Sequence, residues 1–360
     1  MTNILAMYLP QYHEIPENNE WWGKGHTEWE SCKKATSLYK GQYQPRIPLD
    51  NNYYNLLDVE AQINQAKLAK EYGVYGFCYY HYWFCGKQLL EQPINNMLNN
   101  KNIDLPFCVS WANHSWSNST ARKNRTILIK QTYGGKADWI EHFNYLKKLF
   151  VDERYIKVNN KPMLVIYDAA NIECWDEMKS MWDELAIENG WEGIYYVTTL
   201  KHEVDVLFSK EKKFDAQFEY QPTFALAKAQ KLDYAKWYNF KRLLCKDVFN
   251  VPCKINYDRV WKRVQNQTPD NNVKTFLGAY NDWDTTARWG KKGIVHIGAS
   301  PAKFKKYLET QLKRSEARGN EFLFITAWNE WSEGAYLEPD MKNGYSYLEV
   351  IKELILSYKK

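Results

Sequence analysis

The chain has 360 residues, 45% of them apolar and 25% charged, which provides a large core under an ordinary surface and suits one large α/β unit. The net charge of +5 comes from Lys and Arg scattered among Asp and Glu, so nucleic acid, which calls for a basic stripe, is not expected as a partner. No apolar run approaches the roughly 18–20 residues of a membrane helix.

Composition departs from the ordinary only in its aromatics, 16 Trp and 27 Tyr. Their flat apolar faces stack on sugar rings while their polar edges bond hydroxyls, although a large core uses the same residues for packing. The seven cysteines are odd in number and lack C-x-x-C spacing, and several sit inside apolar strand patterns, as reduced buried thiols do. With no basic or apolar leader before the first strand, the expected compartment is the cytoplasm. The N-x-S/T sequons at Asn113, Asn118, Asn124 and Asn266 then read as chance matches.

Eight short apolar runs follow in chain order: Ile4–Tyr8, Val74–Tyr80, Phe107–Trp111, Met163–Tyr167, Ile194–Thr198, Ala216–Phe218, Thr275–Ala279 and Phe322–Ala327. Runs that are apolar throughout, rather than alternating, suit parallel strands buried on both faces. Amphipathic helices are expected between them. Val59, Ile63 and Ala66 form a stripe that Gly73 closes. Asp138 and Glu141 read as a capping box ahead of Trp139, Phe143, Leu146 and Phe150. Ser300-Pro301 opens a helix with Phe304, Leu308 and Leu312 inward and Gly319 at its end. Tyr347, Leu348, Ile351 and Leu354 mark a last helix after strand eight. Eight such repeats predict a (β/α)8 barrel occupying residues 1–360 as a single domain, with long connections at 9–57 and 224–273, after strands one and six.

In that fold the site lies at the carboxyl ends of the strands. Strand one runs into Tyr8, Gln11, His13 and Trp22; strand two ends in Tyr80 and His81; strand three ends in Trp111, Asn113 and His114. Tyr167 follows strand four, Tyr220 strand six, and Asn281 and Asp282 strand seven. Any one cluster is more often packing than a ligand site. Six at the same predicted end make sugar-binding candidates of all of them, and Tyr8, Tyr80, Trp111, Tyr167, Asn281 and Glu330 are expected near one rim. His81 and His114 are expected to bind sugar or to support residues that do.

The most informative segment is Trp328-Asn329-Glu330-Trp331-Ser332-Glu333-Gly334. Glu330 and Glu333 would face opposite sides of a continuing strand, but on a turn residues i and i+3 share a face. Glycoside cleavage needs such a pair, one carboxyl protonated to release the leaving oxygen and one ionised. A solvated acidic loop is the plain alternative, and the interleaved Trp328 and Trp331 argue against it.

This segment with Leu337-Glu338-Pro339 resembles the signature of glycoside hydrolase family 99 and the WbsX-like proteins grouped with it. Tyr8-Leu9-Pro10-Gln11-Tyr12-His13, Trp22-Gly23-Lys24-Gly25, Thr27-Glu28-Trp29, Trp111-Ala112-Asn113 and the run from Tyr280 to Arg288 resemble the WbsX-like branch in particular. The resemblance implies a (β/α)8 fold and, for the hydrolase branch, a retaining endo-acting mannosidase mechanism with no metal or other cofactor. In it Glu330 matches the base that acts on the sugar 2-hydroxyl to give a 1,2-anhydro sugar, and Glu333 the acid that then serves as base. Asn329 and Arg288 match sugar-binding positions, and Trp331 stands beside them. WbsX-like proteins occur in bacterial polysaccharide gene clusters and are often labelled glycosyltransferases, so an oligosaccharide or polysaccharide is the expected partner. A transferase is the competing reading, with Asp282-Trp283-Asp284 as a D-x-D metal motif; on the hydrolase reading those acids position Arg288 and the strand-seven loop. A sugar-binding barrel without catalysis is the third.

Overall fold

The computed structural model describes residues 2–118, 126–227, 232–269 and 272–358; the sequon at Asn124 lies outside them. Eight strand positions form a parallel ring: β1 (Asn3–Tyr8), β2 (Gly76–Phe84), β3 (Phe107–Trp111), β4 (Lys161–Ile166), β5 (Tyr195–Leu200), β6 (Ala216–Glu219), β7 in two segments (Lys274–Phe276 and Gly278–Tyr280) and β8 (Phe322–Thr326). Each pairs in parallel with its neighbour in chain order up to the first segment of β7, and β8 returns to β1. The ring closes at Leu277, where β7 changes partner: its first segment pairs with β6 and its second with β8. The protein is thus a (β/α)8 barrel.

The break in β7 has a sequence cause. A Cβ at position 278 would stand 1.8 Å from the Glu219 carbonyl oxygen, so only Gly lets the two chains approach there. Gly278→Ala must push β6 and β7 apart. A loss of about 3 kcal/mol, the upper range for overpacking, is expected in urea denaturation; an unchanged midpoint would contradict this account of the closure.

Around the ring run α1 (Val59–Glu71), α2 (Gln92–Asn99), α3 (Lys136–Phe150), α4 (Trp175–Glu188), α5 (Glu203–Glu211), α6 (Tyr257–Gln265), α7 (Pro301–Ala317) and α8 (Ser346–Tyr358). Their ends follow the local chemistry. Asp58 accepts from the Glu60 amide before α1, and Gly73 follows that helix at φ 84°. Ser300 accepts from the Lys303 amide before α7, and Gly319 follows at φ 66°. The expected capping box at Asp138 is not formed. Gly135 occupies the N-cap of α3, and Asp138, inside the first turn, instead accepts from Trp83 Nε1 at 3.0 Å. Strand β2 also outruns its expected end at Tyr80: His81–Phe84 stay extended because Lys87–Leu89 folds back on them as an antiparallel hairpin.

The long connections carry structure of their own. Helices Pro16–Trp22 and Glu28–Lys34 lie between β1 and α1; Thr223–Ala227 and Leu232–Leu243 lie between β6 and α6. Among the described residues no helix is long and apolar enough to cross a membrane.

Candidate active site

Strand β8 stops at Thr326, and the chain then forms a small hairpin in which Asn329–Glu330 pairs antiparallel with Ala335–Tyr336. Trp331–Glu333 makes a single 3₁₀ turn between them, which places positions i and i+3 on one side. Gly334 leaves the turn at φ 64°, and a Cβ there would lie 2.9 Å from both Arg46 Cζ and the Asp284 nitrogen. The Asp284 amide donates to the Glu333 carbonyl at 2.7 Å, and Arg46 Nη1 donates to the Gly334 carbonyl at 3.2 Å. Loops from β1 and β7 therefore clamp the turn that carries both carboxyls.

The hairpin is also held from behind. Trp331 stacks on Tyr336 with ring centroids 3.7 Å apart and donates through Nε1 to Glu338 at 2.7 Å. Glu338 accepts in addition from Gln65 Nε2 at 2.7 Å, Tyr54 OH at 2.9 Å and Trp328 Nε1 at 3.0 Å. Asn329 exchanges two bonds with the Leu9 backbone, at 2.7 and 2.9 Å.

Glu330 and Glu333 open onto a cavity of about 640 Å³, within the usual range for a ligand site. Its wall includes Gln11, Trp22, Glu28, Tyr80, Tyr82, His114, Trp116, Tyr167, Tyr220, Trp283, Arg288 and Trp289. Tyr80 and Tyr220 share a hydroxyl–hydroxyl bond of 3.1 Å, and both rings stand edge-on to Tyr167, at 5.9 and 5.7 Å. The result is an aromatic wall with hydroxyls at its edge.

One guanidinium serves three acids. Arg288 reaches Glu333 Oε1 at 2.5 Å through Nη1 and Glu28 Oε1 at 2.7 Å through Nη2, with Glu330 Oε2 3.8 Å away. Its Nε donates to the Ser332 hydroxyl at 2.9 Å, and that hydroxyl donates to Glu28. Burial pushes the Glu330 carboxyl well above the ordinary carboxylate range; Glu333 pushes it further and Arg288 opposes. Burial raises Glu333 as well, against the same guanidinium. Among the described residues no hydrogen bond reaches Glu330 Oε2, whereas Glu333 has Arg288 directly upon it. The pair therefore retains a proton more readily than free carboxylates do.

The sequence-predicted residues divide by the pleat of the strands. Gln11, Trp22, Tyr80, His114, Tyr167, Tyr220 and Arg288 join Glu330 and Glu333 on the cavity wall. Tyr8, His81 and Trp111 point away from it. Tyr80 and Tyr82 face the cavity, so His81 between them faces outward, where its Nε2 meets His142 Nε2 at 2.9 Å. Trp111, in register with His81, packs on His142 and Trp182, and Tyr8 donates to Gln65 of α1 at 2.7 Å. His13 is buried with Nδ1 3.1 Å from the Pro10 carbonyl. Asn113 ties β3 to β4 by bonding both the amide and the carbonyl of Asp168, at 2.7 and 2.9 Å. Asn281 donates to the Tyr336 carbonyl; Asn329 and Trp331 brace the hairpin as described.

Asp282 and Asp284 hold the loop after β7, accepting from the Trp283 and Thr286 amides, but do not position Arg288. Asp282 accepts from Arg46 Nη2 at 2.8 Å, and Asp284 accepts from Gln42 at 3.0 Å and from the Thr286 amide at 2.9 Å. Arg288 is held by the acids of the cavity itself. Among the described residues no group of three or more His, Cys, Asp or Glu is arranged to hold a metal ion. Glu28 and Arg46 were not assigned roles from the sequence. Thr27-Glu28-Trp29 was visible as a motif without a chemical partner, and Arg46 carried no signal beyond a Pro-flanked loop.

The buried ionisable groups predict an unusual stability profile. Burial lowers His13 and His142 and takes His81 and His296 down to about 3, so below pH ~6.5 the unfolded chain binds more protons and stability rises with pH. Burial raises Glu330 and Glu333 and takes Glu338 up to about 7 against its four donors. For these the folded state binds more protons above pH ~4.5, and stability falls as pH rises. The two sets oppose each other between pH ~4.5 and ~6.5, and above that only the carboxyls remain, each contributing a slope of up to about 1.4 kcal/mol per pH unit. Urea midpoints should rise steeply up to pH ~4.5, level off, and decline from pH ~6.5 to 8. A midpoint still climbing at pH 8 would contradict the carboxyl assignments.

Comparison with known proteins agrees with this architecture. The family described as "Glycosyltransferase WbsX" matches residues 4–351. Two curated relatives, each called uncharacterized protein WxcX and from two strains of Xanthomonas campestris pv. campestris, are 31% identical across 98% of this chain and 49% of their own length. The chain thus spans about half the length of the curated relatives it matches. Among solved structures, the GH99 endo-alpha-mannosidase from Bacteroides thetaiotaomicron superposes with a TM-score of 0.59 at 12% identity, covering 99% of this chain and 97% of that one. A glycoside hydrolase-like protein gives 0.59 at 11% identity, covering 98% and 93%. At such identities the likeness concerns the barrel fold. Because the family match runs from the first strand into the last helix, the chain belongs to the WbsX glycosyltransferase family.

Proposed function

We propose that this protein is a carbohydrate-active enzyme that cleaves glycosidic bonds within a bacterial polysaccharide or glycan, by a retaining, 2-hydroxyl-assisted route. The observation that carries the reading is the carboxyl pair: buried Glu330 and half-buried Glu333 on one turn, beside one guanidinium, facing an aromatic cavity. In the first step Glu330 takes the 2-hydroxyl proton while that oxygen bonds to the anomeric carbon. The bond to the leaving oxygen breaks, and Glu333 supplies its proton. Glu333 then deprotonates a water that opens the 1,2-anhydro ring, and Glu330 returns its proton to the 2-oxygen. For the first step the proton that the pair shares must stand on Glu333. The aromatic wall stacks on sugar rings, as such walls do in carbohydrate sites.

The family's description favours transfer as the second reading. The acids of the D-x-D motif are engaged by Arg46, Gln42 and Thr286, which favours hydrolysis. Incubation with defined bacterial oligosaccharides, then with nucleotide sugars, separates the two. Under the hydrolase reading, new reducing ends appear and persist in the presence of a chelator. Sugar-nucleotide turnover that needs a divalent ion and both Asp282 and Asp284 would establish the transferase, and binding without turnover would leave a lectin-like barrel.

A further inference from the structure

Within the connection between β6 and α6, residues 237–251 present a group of apolar side chains to solvent. Trp237, Phe240, Leu243, Val248, Phe249 and Val251 are 38–66% exposed, and they fall within one short helix–turn segment. Elsewhere among the described residues, exposed large apolar side chains are scattered along the chain. Trp237 and Phe240 lie three apart on helix Leu232–Leu243 and share a face, while Tyr238, on another side, is buried. A surface helix normally turns its apolar stripe to the core; here Trp237, Phe240 and Leu243 are turned outward.

Basic residues border the apolar ones. Lys241, Arg242, Lys246 and Lys254 stand against a single acid, Asp247, between residues 237 and 254. The Lys241 ammonium and the Arg259 guanidinium lie over the Trp237 ring, at 5.2 and 5.8 Å. The turn Leu244–Val248 packs beside Gly290–Lys292, which adds Lys291 and Lys292. The residue before that segment, Trp289, lines the cavity. The patch therefore adjoins the mouth of the candidate active site.

We propose that this segment docks the protein on an anionic lipid surface, with the apolar side chains in the interfacial layer and the cations among the headgroups. An apolar face with a cationic border is the pattern of helices that lie in a membrane interface. A second copy of the chain fits less well, because a two-fold contact through this face would set its cations against each other. Docking of this kind would place the cavity mouth at the bilayer surface, so that a glycan attached to a lipid could reach it.

The test is flotation of the full chain with vesicles of phosphatidylcholine alone and of equal parts phosphatidylcholine and phosphatidylglycerol. At low salt the protein should float at least tenfold better with the anionic vesicles, and high salt should release it. The Phe240→Ser/Phe249→Ser variant should lose binding by about a hundredfold, and Arg242→Glu/Lys246→Glu by at least about twenty-five-fold, at roughly fivefold per cation. Circular dichroism should be unchanged in both, since these side chains are largely exposed. Equal flotation with both vesicle types, or none with either, would overturn the proposal whether or not the variants fold. So would a dimer in sedimentation equilibrium that the Phe240→Ser/Phe249→Ser change abolishes.

Discussion

Replacing Glu330 or Glu333 by Gln is expected to lower glycan turnover by about 100- to 10,000-fold, the usual worth of acid–base assistance, with the fold intact. The amide keeps the carboxyl's shape but neither takes up nor gives a proton. Both side chains sit on a turn fixed through its backbone, by Asp284 and Arg46, so the hairpin does not depend on their charge. Removing one buried acid from the three around Arg288 also relieves repulsion, and the thermal midpoint should hold or rise slightly. The roles separate by leaving group. A substrate whose leaving group needs no protonation should partly rescue Glu333→Gln and not Glu330→Gln. Rescue of Glu330→Gln instead would exchange the two roles. Normal cleavage of a 2-deoxy substrate would remove the internal nucleophile and make Glu330 attack directly. Full activity in both variants would remove this site from consideration.

The second large effect is expected at Arg288. Arg288→Met would leave Glu28 and Glu330, both buried, and half-buried Glu333 with no cation among them. Breaking a buried pair from one side costs about 3–5 kcal/mol, because the remaining charge is neither solvated nor compensated. The variant should be destabilised by that amount at pH 8 and by much less at pH 5, where Glu330 and Glu333 take up protons instead. Activity should be lost at both. Arg288→Lys keeps the charge, so stability should largely return. A single ammonium cannot reproduce the planar fork that holds Ser332, Glu333 and Glu28 together, so activity should stay low. Equal stability of Arg288→Met and the parent protein at pH 8 would show that Arg288 compensates no negative charge in the site, and the account of the site would fail.

The barrel was legible from local pattern. Strands buried on both faces are apolar throughout, and caps such as Ser300 with Pro301 are properties of adjacent residues. The carboxyl pair was legible for the same reason, since three residues on one turn bring Glu330 and Glu333 together without help from elsewhere. What neighbouring residues could not disclose was direction. His81 and Trp111 belong to runs of polar aromatics near the rim, but the pleat alternates, and the extension of β2 to Phe84 decides which of them face outward. Nor does pattern disclose partners distant in the chain. Arg288 finds Glu28 on a helix of the first connection, and Asp282 finds Arg46 rather than Arg288. Only closure of the ring brings the connections after β1, β7 and β8 to one mouth, and the charge balance around the carboxyl pair exists only there.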